Sequence, residues 1–481
     1  MNNENGELEI FFLPFMAHGH MIPITDIAKL FAARGVKTTM ITTPLNAPFL
    51  SKTIQRTKPI GREINIKVIE FPRPNSGLQH QWCENLDSVP SQDLFMAFFE
   101  TTSHLREPLE DLLGKHRPSC LVADMFFPWA TEAAAKFGIP RLVFYVTSVI
   151  SLCAWQCLKL YEPHKRVSSD FELFLIPDLP GEIRLTRMQI PEFMRQNANN
   201  YMTQLLEKVI ESEFKSYGVI VNTFYELEAD YAEHYRKVLG IKAWYLGPVS
   251  LCNKEPEEKS QRGKEASINE LDCLKWLDSK KPNSVVYVSF GSVAKFTASQ
   301  LTEIALGLEA SGHQFIWVVR RNKEENDKED WLPEGFEQRV EDKGLIIRDW
   351  APQMLILEHE AVGGFVTHCG WNSTLEAVSS GVPMVTWPIS AEQFFNEKLV
   401  TQILKIGVGV GVRKWVGFVG DRVESKALEK AVRRVMEGEE AEEMRSRIRK
   451  LAQMAKSAVE EGGSSYCELS ALITKLSSPG F

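Results

Sequence analysis

Short apolar runs alternate with stretches of helical spacing along this chain, and the alternation starts twice. Leu8–Phe15 (LEIFFLPF) reads as a buried strand, IPITDIAKLFAARG after it has helical spacing and stops at Gly35, and VKTTMITTP is a second strand. INIKVIEFP, a helical stretch ending near Lys115, CLVADMF, WATEAAAKFG and RLVFYVT continue the pattern, with GVIVNTF and AWYLGPV as the last strands of this half. The segment Pro163–Asn200 is less regular and is expected to carry loops over a site. Asn253–Ser267 (NKEPEEKSQRGKEAS) is charged and nearly free of large apolar residues, the composition of an interdomain linker. Then SVVYVSFGS restarts the series, followed by ASQLTEIALGLEASG, QFIWVV, a polar surface loop (NKEENDKEDWLPEG), GLIIRDW, MLILEHEA, VGGFVTHCG, STLEAVSSG and VPMVTWP. Glu424–Leu476 is charged and mostly helical. Strand alternating with helix builds parallel βαβ units. The expected fold is therefore α/β, with two Rossmann-like, doubly wound domains facing a cleft where ligands sit. The expected boundaries are 1–252, a linker at 253–270, a second domain at 271–455 and a terminal helix at 456–481.

The remaining bulk properties narrow the function. With 44% hydrophobic and 25% charged residues the chain has an ordinary globular composition. A net charge of -8 argues against general nucleic-acid affinity, which needs a basic face, but not against a small anion held locally. The start, MNNENGELE, lacks the basic opening of a secretory signal, and no apolar run is long enough to span a bilayer. The eight cysteines are scattered. Cys153 and Cys157, spaced i, i+4, fit one buried helix face as thiols better than they fit a metal or redox pair. A reduced, cytoplasmic protein follows, and the sequon Asn372-Ser373-Thr374 is then accidental. Oligomeric state is not legible, with monomer as the default.

THCGWNSTLEAVSSGVPMVTWP (Thr367–Pro388) places His368, Trp371, Asn372, Ser373 and Glu376 together between apolar runs. Polar side chains in such company need partners. His368 and Gly370 end a strand, and a helix starts directly afterwards. The C-terminal edge of a parallel sheet beside a helix N-terminus favours a phosphate, through unpaired N–H groups and the helix dipole. The favoured reading is a turn that holds a diphosphate. Ser373-Thr374-Leu375-Glu376 also fits a capping box, in which Glu376 only closes its own helix. On this segment alone the two readings are even. Phe290-Gly291-Ser292, also after a strand, resembles a second phosphate-facing turn.

The span Trp350–Gln393, WAPQMLILEHEAVGGFVTHCGWNSTLEAVSSGVPMVTWPISAEQ, closely resembles the signature box of plant secondary-product UDP-glycosyltransferases. The resemblance extends through PFMAHGHMIP, VNTFYELE, YLGPV and VYVSFGS, and is strongest to the branch acting on phenolics, flavonoids and triterpenoids. It implies a GT-B fold whose terminal helix packs back on the first domain, and the co-substrate UDP-glucose, with no further cofactor. It implies that Trp350, with Ala351 beside it, stacks on uracil and that Gln353 and Glu376 bond the ribose. His368, Asn372, Ser373 and Ser292 would hold the diphosphate, and Trp371, Glu392 and Gln393 the sugar. Core packing stays open as the alternative for Trp350 and Trp371. The closing Gln393 goes with glucose in this family, where histidine goes with galactose; UDP-galactose or UDP-glucuronate is the alternative donor.

PFMAHGHMIP places His18 and His20 in the loop after the first strand, and the family pattern selects His20 as base. Asp124 ends the strand CLVAD, either as a turn residue or as partner to a base; the resemblance makes it the partner that orients His20 and stabilises its charged form. No Asp-X-Asp string occurs, so no carboxylate-bound metal is expected. Phe126, Phe127, Trp129 and Trp155 suit a flat apolar acceptor, or equally a core. A nicotinamide-dependent oxidoreductase is rejected because the first strand–helix turn lacks G-x-G-x-x-G. A nucleotide-binding protein without transferase activity is the remaining alternative, and His20 and Asp124 argue against it.

Overall fold

The structure is a computed structural model that describes residues 7–55, 63–71, 83–89, 92–195, 201–260, 262–292, 294–319, 332–417 and 420–478. Most of the expected polar loop after QFIWVV, residues 320–331, lies outside them, as do residues 196–200 of the irregular segment.

The chain forms two compact units. The first comprises residues 1–146, 196–254 and 457–481, and the second residues 147–195 and 255–456. Its strands in chain order are β1 (Glu9–Leu13), β2 (Lys37–Thr42), β3 (Ile64–Val68), β4 (Cys120–Asp124) and β5 (Arg141–Tyr145). A short antiparallel hairpin, β6 (Leu173–Leu175) with β7 (Arg184–Thr186), belongs to the second unit. β8 (Gly218–Val221) and β9 (Ala243–Tyr245) complete the first unit's sheet. That sheet has seven strands in the order β3-β2-β1-β4-β5-β8-β9, and every pairing is parallel. Strands buried on both faces read as unbroken apolar runs, which is why β1, β4 and β5 were legible: all their residues are buried.

The second unit contains β10 (Val285–Ser289), β11 (Gln314–Val319), β12 (Gly344–Arg348), β13 (Val362–Thr367), β14 (Met384–Thr386) and β15 (Gly407–Gly409). They form a parallel sheet ordered β12-β11-β10-β13-β14-β15. In each sheet the order reverses once, at β1/β4 and at β10/β13. Ligands in open α/β sheets bind outside the carboxyl ends of the strands at such points.

Residues 147–195, inside the expected 1–252 domain, group with the second unit. Ser148, the N-cap of helix Val149–Tyr161, donates to Asn396 Oδ1 at 2.5 Å, and Met188 O accepts from Trp415 N at 2.7 Å. Helix Ser464–Leu476 belongs to the first unit, where Leu469, Leu472 and Leu476 join the core that contains Ile10, Val122 and Trp244. Ser465 Oγ donates to Gly247 O at 2.5 Å there. The expected linker is not an extended tether: it forms helix Pro256–Ser260, and Lys259 Nζ reaches Glu358 at 2.7 Å. Cys153 and Cys157 are buried on helix Val149–Tyr161 as expected, and none of the eight cysteines is in a disulfide. Among the described residues no helix is long and apolar enough to cross a membrane.

Candidate active site

The switch point of the first sheet carries a histidine–aspartate pair. The helix after β1 starts at His18, four residues before the sequence pattern suggested, because His20 N and Met21 N already bond Ala17 O at 2.9 and 2.8 Å. His20 therefore lies in a first helical turn, not in a loop. Its Nδ1 is 2.8 Å from Asp124 Oδ2 at the end of β4. Asp124 is fully buried, and its Oδ1 accepts from Phe126 N at 3.0 Å. With Nδ1–H donating to a buried carboxylate, the tautomer is fixed and Nε2 is the basic atom. The rings of Phe15 and Phe126 lie 5.4 Å from that of His20.

Beneath Asp124 lies a cation that the sequence did not flag. Arg141, at the start of β5, is 2% exposed. Its Nη2 donates to Asp124 O at 2.9 Å and Ala123 O at 3.3 Å, and its Nη1 to Thr131 Oγ1 at 2.7 Å and Ser212 Oγ at 3.2 Å. Burial lowers its pKa to about 10, so it stays charged. Nearby Glu213 is raised by burial and accepts from Tyr145 Oη at 2.5 Å.

His18 has its own partner, also missed: Asp87, 69 positions away, meets its Nδ1 and accepts from its backbone N at 3.1 Å. Of the expected acceptor residues, Phe126 is half-buried with its ring 5.4 Å from that of His20, and Trp129 is half-buried with its ring 5.4 Å from that of Phe127. Phe127 is fully buried in the core and has no surface to offer a ligand, so its role is packing. Trp155 belongs to the second unit, where it meets Phe193 edge-on at 6.5 Å, and Phe193 meets Trp415 at 6.3 Å.

The second sheet's switch point carries the polar turn. β10 runs into Phe290-Gly291-Ser292 and β13 into His368-Cys369-Gly370. The imidazole of His368 sits against two glycines: a Cβ at Gly291 would lie 2.6 Å from its Cε1, and one at Gly370 would strike Nε2. Gly291 also holds φ +72°, open to glycine at little cost. The helix starts at Trp371, not at Ser373, with Gly370 as N-cap and no capping side chain. Glu376 is then the sixth helical residue, and the capping-box reading fails. The dipole's positive end falls on the backbone N–H groups of Trp371, Asn372 and Ser373.

Glu376 instead joins a side-chain cluster. Gln353, first residue of helix Gln353–Glu358, donates through Nε2 to Glu376 Oε2 at 2.7 Å and Ser373 Oγ at 3.1 Å. Arg262 Nη1 meets Glu376 Oε1. Trp350 is half-buried and Ala351 buried, and the backbone of Trp350 exchanges two bonds with Ser267 at 2.8 and 2.9 Å. Trp371 is 2% exposed, so its indole packs inward. Gln393 Oε1 accepts from Ile389 N and Ser390 N at 2.8 and 2.9 Å, which commits the oxygen and leaves the amide N–H groups as its donors. Glu392 accepts from Asn396 Nδ2 at 3.3 Å.

A model of the family described as UDP-glucoronosyl and UDP-glucosyl transferase matches residues 185–456. Scopoletin glucosyltransferase of Nicotiana tabacum is 58% identical, with 98% of each chain covered. The chain belongs to the UDP-glucoronosyl and UDP-glucosyl transferase family. UDP-glucose flavonoid 3-O-glucosyltransferase 7 of Fragaria ananassa is 57% identical over 99% of this chain and 97% of the relative. Among solved structures, Glycyrrhiza uralensis UGT73P12 complexed with glycyrrhetinic acid 3-O-monoglucuronide has a TM-score of 0.91 at 43% identity, covering 98% of this chain and 96% of that one. The protein is thus a UDP-glycosyltransferase with the GT-B fold of its family.

In this UDP-glycosyltransferase His368 is neutral near pH 7. Burial pushes its pKa down to about 4, and Nδ1 is sealed from solvent without a partner among the described residues. An unfolded histidine titrates near ~6.5. The unfolded chain therefore binds the proton more tightly, and stability falls as pH drops from about 6.5 toward about 4. His368→Gln is expected to show a smaller loss of melting temperature across that window than the wild type. Equal losses would mean that the imidazole is protonated as readily in the folded protein.

Proposed function

We propose that this enzyme transfers glucose from UDP-glucose to a hydroxyl of a flat phenolic plant metabolite in one inverting displacement. The observation that carries the reading is the His20–Asp124 pair at 2.8 Å, intact at a sheet switch point in a chain of this family. His20 Nε2 removes the acceptor proton, while Asp124 holds the ring and stabilises the imidazolium. The acceptor oxygen forms a bond to the anomeric carbon as that carbon's bond to the diphosphate oxygen breaks, and UDP leaves with the bonding pair. Trp350 stacks on uracil, and Gln353 and Glu376 take the ribose hydroxyls. Ser292, His368, Asn372 and Ser373, with the helix N-terminus at Trp371, hold the diphosphate and the charge that grows on it. Its position in an enclosed turn supports a neutral His368 acting as a hydrogen-bond donor there.

Glu392 and Gln393 select the sugar. Glucose and galactose differ only in the direction of one hydroxyl, so discrimination needs groups that bond one orientation and leave the other unpaired. A carboxylate beside an amide whose oxygen is already committed offers acceptors and donors to neighbouring equatorial hydroxyls. The phenolic acceptor is favoured because the similar tobacco and strawberry enzymes are named for scopoletin and flavonoid substrates. Phe126, half-buried against His20, is the first unit's candidate acceptor wall. Action in a reduced cytoplasm fits a chain whose cysteines form no disulfides. Competition of carbon-13-labelled UDP-glucose with unlabelled UDP-galactose and UDP-glucuronate for one phenolic acceptor, read by mass spectrometry, is expected to give mainly the labelled glucoside. A preference for either other donor would overturn the donor assignment.

A further inference from the structure

Within the second unit, residues 262–267 lie on the residues assigned to the nucleoside. Arg262 pairs with Glu376, and both side chains are almost fully enclosed, at 8% and 6% exposure. One residue on, Gly263 holds φ +111°, and a Cβ there would collide with Trp350 Cζ2 and approach Nε1 to 3.2 Å. Its backbone therefore lies against the indole. Ser267 then closes the segment with its two bonds to the Trp350 backbone, and Lys259–Glu358 anchors the other end. A guanidinium thus stands where ribose hydroxyls would meet Glu376, and a peptide group stands against the ring expected to stack on uracil.

We propose that Arg262 and Gly263 form a strap that occupies the nucleoside subsite and that UDP-sugar must displace, so that Arg262 sets donor affinity by competing for Glu376. This rests on the donor-site reading of Trp350 and Glu376. The chemistry is a direct exchange. Without Arg262, the nearly buried carboxylate would face, among the described residues, the Gln353 amide as its remaining side-chain donor, which is costly. Arg262 satisfies that carboxylate until ribose hydroxyls replace it. Glycine at 263 is what lets the backbone approach the indole so closely. A ligand that binds only the strap-open state has its apparent affinity reduced by the fraction of molecules in that state.

Isothermal titration with UDP on the full chain tests this. If the strap is closed most of the time, Arg262→Ala is expected to tighten UDP binding about tenfold. Arg262→Lys keeps a cation for Glu376 and is expected to return affinity toward wild type. Gly263→Ala keeps the arginine but displaces the backbone from Trp350, and is expected to tighten binding too. In turnover the KM for UDP-glucose should fall in both alanine variants. Unchanged or weakened UDP binding in Arg262→Ala and Gly263→Ala overturns the strap. Glu376→Ala made in the Arg262→Ala background separates the two levels: if UDP affinity then equals that of Arg262→Ala alone, the donor-site reading itself fails; if it is weaker while Arg262→Ala alone does not tighten binding, only the strap fails.

Discussion

His20→Ala is expected to cut transfer by roughly 10²–10⁴-fold, the usual loss when a positioned general base is removed, while UDP binding stays nearly intact. The separation follows from where the residue sits. His20 and its partner Asp124 belong to the first sheet's switch point, and the residues assigned to UDP belong to the second unit. His18→Ala is expected to be much milder, since its ring is engaged by Asp87 and packs edge-on against Phe49 at 5.1 Å. Asp124→Asn keeps a hydrogen-bonding group beside Nδ1 but removes the charge that stabilises the imidazolium, so it should lower kcat without changing UDP affinity. Turnover assays and UDP titrations on the same preparations check all three. A His20→Ala enzyme with near wild-type turnover, or a His18→Ala loss larger than that of His20→Ala, would move the base elsewhere.

The second large effect is on stability. Arg141→Met is expected to cost about 3–5 kcal/mol, the range seen when one member of a buried charged cluster is removed and its partners remain. The guanidinium donates four hydrogen bonds within the first unit, two of them to the backbone carbonyls of Ala123 and Asp124. Without it both carbonyls lose a donor, Asp124 O keeping only Phe127 N at 3.1 Å among its backbone turn bonds, and the buried carboxyl groups of Asp124 and Glu213 lose a cation that offsets them. Arg141→Lys keeps the charge but cannot reproduce the planar fork, so it should recover part of the loss. Chemical denaturation measures both. Because Arg141 braces the strand end that carries Asp124, the lysine variant should also lose turnover while keeping UDP affinity. A Met variant as stable as wild type would mean that the cluster is balanced without the cation.

The fold was legible because its signal is local. Strands such as β1, β4 and β13 are buried along their whole length and appear as continuous apolar runs, and the helices after them keep helical spacing. Helix starts were read less well. Both functional helices begin earlier than their patterns suggested, at His18 and Trp371, because each is opened by backbone turns without a capping side chain. That shift moved His20 from loop to helix and removed the capping role from Glu376. The pairings were least visible. His20 and Asp124 are 104 positions apart, and Arg262 and Glu376 are 114 apart. No periodicity links such residues; the first pair was reached through the family pattern. Arg262 is not legible because a charged, glycine-containing stretch reads as solvated linker. Arg141 was hidden in the same way, as a polar start to an apolar strand.

The configuration of the product tests the single inverting displacement most directly. Purified enzyme incubated with UDP-glucose and a flat phenolic acceptor should release UDP only when acceptor is present. Proton NMR of the isolated product should show a β-linked glucoside on an acceptor oxygen, because a single displacement inverts the α-linked donor. An α-linked product, or UDP release without glucose appearing on the acceptor, would contradict direct attack by an oxygen that His20 has deprotonated.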